Sequence, residues 1–484
     1  MRTLAAILTC LGLFACGAFF GGTRAFSYLP VLFVFLFAFT AAIFAGDVRE
    51  NLKKTLKFPF FWAGLAFCAY IGLQSLNPWM ETVMKFGMGD IYYRDFRIFM
   101  PAGTDAMHAN GLTSSAVAAK ALICLFCVSS LNLLVRRPSD CVAYSCAILA
   151  GALACCVAGF IQFFDEDKFY YVWSVLDRGM SSPFGSFYSR THAGLYLSVG
   201  LCVLCALFSR ALFSRDSRVP AAAATAVFLP LLVLILSAIA ICGAFGAMLA
   251  GACTAAAISA VFIANAAVRL DGAARTCAIA APIALAIAAA AAIWTHPDIL
   301  GQRILRKIDA IKNPTTIEAV DGGRSNFYPI SIDMVKSAGY HKTQKSGLQK
   351  ASKIILGNGT NSYGDVSPIF LADDPRFARK NSHGVEYIDM LTYAHCDPLQ
   401  FIFEYGILWG AILAAFASCW LAALVRARFW RSAFATIIAM PAPLVFAYSC
   451  ADIILYNPFI SAPALATALM AYRYSQHMRR PKPA

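Results

Sequence analysis

Charged side chains are scarce in this sequence: Asp, Glu, Lys and Arg make up 14% of 484 residues against 60% hydrophobic, and the mean hydropathy is +0.65. Such a balance excludes a soluble multi-domain protein. Cysteines that could pair outside the apolar stretches are also lacking. Of 17 cysteines, sixteen lie within or beside apolar runs and only Cys396 stands in an outer segment, which leaves no disulfide framework there. The others serve as small apolar residues. Cys124-x-x-Cys127 and Cys202-x-x-Cys205 lack a second ligand pair nearby, so helix packing explains them better than metal or redox chemistry. An internal repeat, common in transporters, is missing as well, which favours chemistry or binding at one face.

What the sequence does have is apolar runs of the length an α-helix needs to cross a hydrocarbon core, about 18 to 25 residues. They fall near 3–21, 26–46, 58–76, 114–135, 141–163, 192–209, 221–241, 243–265, 277–294, 399–425, 432–450 and 456–472. This predicts an all-α polytopic membrane protein of about 12 transmembrane helices with a large periplasmic loop between helices 9 and 10. Residues 1–294 carry helices 1–9 and the outer segments 77–113 and 164–191; 295–398 form the large loop; 399–472 carry helices 10–12; 473–484 are a basic tail. The apolar run 221–267 is too long for one crossing and needs a turn at Cys242-Gly243, made either as two full crossings or as a re-entrant pair. The first run reads as an uncleaved helix: Phe14 is too bulky for a lipoprotein box at Cys16, and Arg2 is a meagre n-region.

Charge placement sets the orientation. With the N-terminus inside, the inner segments hold 19 Lys/Arg and 5 Asp/Glu, while the outer segments hold 20 of each. The net charge of +14 is thus a positive-inside signal that places both termini in the cytoplasm. It needs no nucleic acid, and the tail Arg479-Arg480-Pro481-Lys482 suits anionic lipid. Lys120 and Glu404 are the two charges left inside helices; pairing would shape a cavity mouth.

Within the large loop, 303–312 is basic and helical in pattern. Phe327, Ile330, Met334 and Val335 predict an amphipathic helix over 326–338, lying on the membrane or roofing the helices. Gly357-Asn358-Gly359-Thr360-Asn361 is a turn, and 372–381 a solvated charged loop. A helix is expected again from Tyr387, entering the membrane at Pro398. Asp165-Glu166-Asp167 and Asp373-Asp374 lack further metal ligands at suitable spacing and read as solvated acidic corners.

The stretch Ala394-His395-Cys396-Asp397-Pro398-Leu399-Gln400, continuing through Glu404-Tyr405-Gly406 to Gly410, places ionisable groups at and inside a helix mouth. Such placement is expensive without a polar cavity or partner. His395 is the candidate base, because imidazole exchanges protons near neutral pH, and Asp397 could orient it. A helix-capping His395 with Glu404 paired to Lys120 would account for the same residues without catalysis. His192 could bind phosphate or acceptor, or sit at the interface.

These residues resemble the O-antigen ligase and polymerase superfamily, membrane glycosyltransferases acting on lipid-linked glycans. Four motifs occur in order over roughly residues 160–425. Phe184-Gly185-Ser186-Phe187-Tyr188-Ser189-Arg190-Thr191-His192-Ala193-Gly194 is similar to the family's segment entering a helix. Gly323-Arg324-Ser325-Asn326 resembles its loop arginine, Leu356-Gly357-Asn358-Gly359 its Gly-x-Gly turn, and His395 with Glu404-x-Gly406 its His-Asn-Asp and Glu-x-Gly segment. Cys396 replaces the usual Asn, Ser189 and Thr191 replace favoured Asn, and Cys242-Gly243-Ala244 replaces Ser-Arg-Gly. The resemblance implies a bacterial inner membrane protein without cofactor or metal. Its donor would be an undecaprenyl-diphosphate-linked glycan and its acceptor lipid A core by preference, another glycan or a protein. Arg190 and Arg324 would hold the diphosphate through bidentate hydrogen bonds, with His192, Glu404 and Lys120 as further substrate-binding candidates. A transporter or flippase of lipid-linked glycans is the rival class, and a membrane scaffold a third.

Overall fold

Apolar runs become helices because hydrocarbon offers backbone amides no partner except one another. The computed structural model describes residues 1–22, 25–85, 88–93, 95–104, 114–164, 184–213, 219–269, 276, 280, 327–340, 347–372, 378–380, 386–388 and 393–479. The first nine helices are α1 (Arg2–Ala18), α2 (Ala25–Ile43), α3 (Val48–Leu56), α4 (Pro59–Ser75), α5 (Ser114–Leu134), α6 (Pro138–Phe164), α7 (Arg190–Phe213), α8 (Ala221–Cys242) and α9 (Phe245–Arg269). After them come α10 (Phe327–Lys336), α11 (Gly347–Leu356), α12 (Ser362–Leu371), α13 (Asp397–Ala427), α14 (Ala433–Ile438), α15 (Pro441–Ser449) and α16 (Pro458–Arg479). The protein is mostly helical. Among the described residues short strands occur in connecting segments: β1 (Pro78–Lys85) pairs with β2 (Met88–Tyr93) and β3 (Gly103–Thr104), and β4 (Ala378–Lys380) with β5 (Glu386–Ile388).

Seven helices among the described residues are long and apolar enough to cross a bilayer: α2, α5, α6, α7, α8, α9 and α13. An eighth crossing results if α3 and α4, bent by 68° at their junction, form one span. The expected crossing at 432–450 is broken into α14 and α15 where Pro441 and Pro443 remove amide donors. The expected span at 277–294 lies outside the described residues, as do 303–312 and the acidic clusters at 165–167 and 373–374. The run 221–267 does turn at Gly243, which adopts φ +65° at the end of α8. Part of the expected loop 372–381 is strand β4. Helix α13 starts at Asp397 and not near Tyr387, which lies in β5; Pro398 suits a first turn and disfavours helix before it.

Contacts sort the helix ends into two faces. On one, Arg2 pairs with Asp140 at 3.5 Å, Arg210 donates to the Tyr474 hydroxyl at 2.9 Å, and Arg473 donates to Asn132. On the other, Asn457 donates to the Gly21 carbonyl at 2.9 Å and meets His192 at 3.2 Å. Arg2, Arg210 and Arg473, all from segments that the charge count assigns to one side, thus lie at the first face.

Helix α13 is kinked at Gly406 (φ +79°, ψ +170°), a conformation open to glycine alone. In a straight helix the carbonyls of 403 and 404 would accept from amides four residues on. Here the Phe403 carbonyl accepts from the amide and side chain of Asn358, each at 2.9 Å, and the Glu404 carbonyl from the Gly359 amide at 3.0 Å and Gln74 Nε2 at 2.9 Å. The turn after α11 is therefore seated in the kink, and the fit is reciprocal. A Cβ on Gly357 (φ +83°) would strike the Glu404 carbonyl, and one on Gly406 the Ile355 carbonyl.

Above the kink lies a separate small core. Trp79 and Phe96 from the first outer segment, Ile330 and Met334 from α10, Tyr363 and Val366 from α12, and Phe403 from α13 pack together. The expected amphipathic helix is α10, with Ile330, Ser331 and Met334 buried and Ile332 turned outward. It roofs the start of α13.

Gly357→Ala and Gly406→Ala are each expected to cost about 2–4 kcal/mol, since each adds backbone collision to a strained φ. Gly410→Ala, whose methyl would meet Ile402 at an ordinary 3.4 Å, is expected to unfold like the parent in a detergent thermal melt.

Candidate functional site

His395 leads into α13 from a left-handed backbone conformation (φ +48°), which histidine tolerates better than most residues and which clusters at functional positions. Its Nδ1 lies 3.2 Å from Asp452 Oδ1, and its ring stacks on Phe327, the first residue of α10, with centroids 6.2 Å apart. The imidazole keeps 30% of its surface exposed while the Asp452 side chain keeps 8%. A carboxylate at Nδ1 fixes the proton there and leaves Nε2 with its lone pair. Asp452, and not the expected Asp397, orients His395.

Asp397 has a different task. Its Oδ2 accepts the backbone amides of Ile454 and Leu455, both at 2.6 Å, while Oδ1 is buried without a hydrogen-bond partner. Two residues on from His395, the side chain turns away from the imidazole toward the segment joining α15 to α16. Glu404 holds the same segment about two helical turns further on: Tyr456 donates its hydroxyl to Oε2 at 2.6 Å, and Gln400 donates to Oε1 at 2.9 Å. Gln400 in turn accepts the Ala394 amide at 3.1 Å, next to His395.

The expected Lys120–Glu404 pair does not form. The Lys120 ammonium sits 5.5 Å from the ring centroid of Tyr28 on α2, a cation–π distance, while Glu404 is held by Gln400 and Tyr456. Two buried charges at similar depth on different helices need not face each other.

His192 is occupied by the protein. Its Nε2 lies 2.6 Å from the Ile453 carbonyl and its Nδ1 3.2 Å from Asn457 Nδ2. The orientation of Asn457 is fixed, because Oδ1 accepts the Phe459 amide at 3.0 Å and Nδ2 also donates to Gly21. His192 must therefore accept at Nδ1 and donate at Nε2, a neutral imidazole serving as a brace. Both ring nitrogens of His192, expected either to bind phosphate or acceptor or to sit at the interface, are thus engaged by the protein. Two residues earlier, Arg190 opens α7; its carbonyl accepts from the Cys242 thiol at 2.7 Å, tying α7 to the end of α8. No ion pair among the described residues engages its guanidinium.

His192 and His395 thus meet the consecutive residues 453 and 452, which brings the Arg190 end of α7 and the His395 end of α13 to one segment. Arg324 lies outside the described residues; the chain re-enters them at Phe327, on the His395 ring. Cys396, in the usual Asn position, is buried, and burial pushes its thiol up, away from thiolate chemistry. No group of three or more His, Cys, Asp or Glu able to hold a metal occurs among the described residues.

Sequence reasoning missed Asp452, Tyr456 and Gln400. A signal for Asp452 existed: it is the sole acidic residue after Glu404, set in a short polar break between apolar runs. Compared with models of known families, with characterised proteins and with solved structures, the chain matches none.

Lys120→Met and Glu404→Gln are expected to act independently. A double-mutant cycle of thermal stability should return a coupling below about 0.5 kcal/mol; a clearly larger coupling would restore the ion pair.

Proposed function

We propose that the protein is a membrane glycosyltransferase of the O-antigen ligase and polymerase type. It moves a glycan from undecaprenyl diphosphate to an acceptor hydroxyl at the periplasmic face of the bacterial inner membrane. Lipid A core is the favoured acceptor, with a growing glycan or a protein hydroxyl as alternatives. The observation that carries this reading is the His395–Asp452 pair, held in a strained conformation beside the segment that also receives the Arg190-bearing helix.

The chemistry follows from the groups present. The acceptor oxygen attacks the anomeric carbon as the bond from that carbon to the diphosphate oxygen breaks. His395 Nε2 takes the acceptor's proton while Asp452 steadies the resulting imidazolium at Nδ1. The polyprenyl diphosphate departs with the bonding electrons, and its charge calls for cations at the site. Arg190 and Arg324 fill that role, since guanidinium stays charged and grips phosphate oxygens in pairs. Phe327 packs the imidazole from one side. Asp397, Glu404 and His192 act at one remove, holding 452–457 so that Asp452 stays aligned.

His395→Ala and Arg324→Ala are expected to insert normally and to lower glycan transfer by on the order of 10²–10⁴-fold. Asp452→Asn is expected to lower it about 10²-fold or more, because an amide no longer selects the tautomer. Transfer by purified variants, scored by the mass gained by the acceptor, tests this; undiminished transfer by His395→Ala sinks the reading.

A further inference from the structure

Helix α11 (Gly347–Leu356) is amphipathic with its polarity reversed. Its docked face buries Ser352 and Lys353. Ser352 donates to the Ile98 carbonyl, and the Lys353 ammonium lies over the Trp79 ring at 2.8 Å and the Tyr340 ring at 3.9 Å from their centroids. The opposite face carries Leu348, Ala351 and Ile355, one stripe at i, i+3 and i+7, with Leu348 57% and Ile355 52% exposed. A water-facing helix would show the opposite arrangement.

The level at which α11 sits explains the reversal. Gly406 abuts the Ile355 carbonyl. From Gly406 to Arg426, the first charged residue at the far end of α13, the interval is 20 residues (426 − 406). That is about 30 Å of helix, the thickness of a hydrocarbon core. Gly406 therefore marks one boundary of the bilayer interior, and the C-terminal end of α11 is held at that height. Tyr70, five residues before the end of α4 (75 − 70), fixes the same level independently by donating to the Leu356 carbonyl. Immediately after Gly406, Ile407 and Leu408 of α13 are also exposed, 51% and 43%.

We infer that α11 is an interfacial helix whose Leu348–Ala351–Ile355 stripe is immersed in the acyl chains of the adjoining lipid leaflet. The partner is bilayer lipid. Aromatic rings receive the Lys353 ammonium on the protein side, and the half-buried Lys350 lies off the Leu348–Ala351–Ile355 stripe, so that stripe offers lipid only apolar groups. Because α11 leads directly into the turn seated at Gly406, its immersion also sets the height of the His395 end of α13 relative to the membrane surface. The inference stands on the membrane character of the helices and not on the proposed transfer reaction.

The test uses the full chain in phospholipid vesicles, labelled in separate samples with a lipid-soluble carbene precursor and with water-borne hydroxyl radicals, then mapped by peptide mass. Leu348 and Ile355 are expected to take carbene label as Ile407 and Leu408 do. Their oxidation is expected to be about tenfold lower than that of the exposed loop residue Phe99. Replacing both with Leu348→Lys and Ile355→Lys is expected to abolish carbene label on this segment while label on α13 persists. Oxidation of Leu348 and Ile355 without carbene label would overturn the inference. Protection from both reagents would overturn it too, since protein and not lipid would then cover the stripe.

Discussion

Six consecutive residues, 452–457, hold the His395 end of this protein together. Asp452 takes His395, the Ile453 carbonyl takes His192, the amides of Ile454 and Leu455 take Asp397, Tyr456 takes Glu404, and Asn457 takes both His192 and Gly21. The partners come from α7, α13, its approach and the end of α1. A short connection between two helices would ordinarily leave its backbone to water. Here each of the six residues gives at least one polar group to a partner outside the segment, so displacing it would expose several buried partners at once.

A second constraint works beside the first. The kink at Gly406 exposes two carbonyls of α13, and the turn 357–359 occupies them. The small outer core is thereby locked onto the membrane helices by backbone contacts that only glycine permits. This core includes Ala394, the neighbour of His395, and Phe327, packed against the core, stacks on the His395 ring. His395 is thus set by packing on one side and by the 452–457 segment on the other, which is the preorganisation that the proposed group transfer requires.

Much of this was legible in the residues. Apolar run length located the seven helices among the described residues that are long and apolar enough to cross a bilayer, because hydrocarbon allows backbone so few solutions. Gly357 and Gly359 advertised a turn, and the spacing of Phe327, Ile330 and Met334 exposed α10 as amphipathic, whereas the kink at Gly406, inside an apolar run, was not read. Partner choice among buried charges was not legible. Lys120 and Glu404 looked like a pair because both are costly to bury, yet a tyrosine ring and a tyrosine hydroxyl receive them separately. Asp397 looked like the companion of His395 because it is near in sequence, whereas the companion is 57 residues away (452 − 395). Spacing along a chain predicts partners on one helix; it carries no information where a left-handed residue and a helix start intervene.

The proposed transfer chemistry is tested most directly by supplying the purified full chain, in vesicles, with polyprenyl-diphosphate-linked glycan and each candidate acceptor in turn. The account predicts that one acceptor gains the mass of the glycan, with release of polyprenyl diphosphate and no added metal or nucleotide. Movement of the lipid-linked glycan across the vesicle membrane, with no acceptor gaining mass, would contradict it.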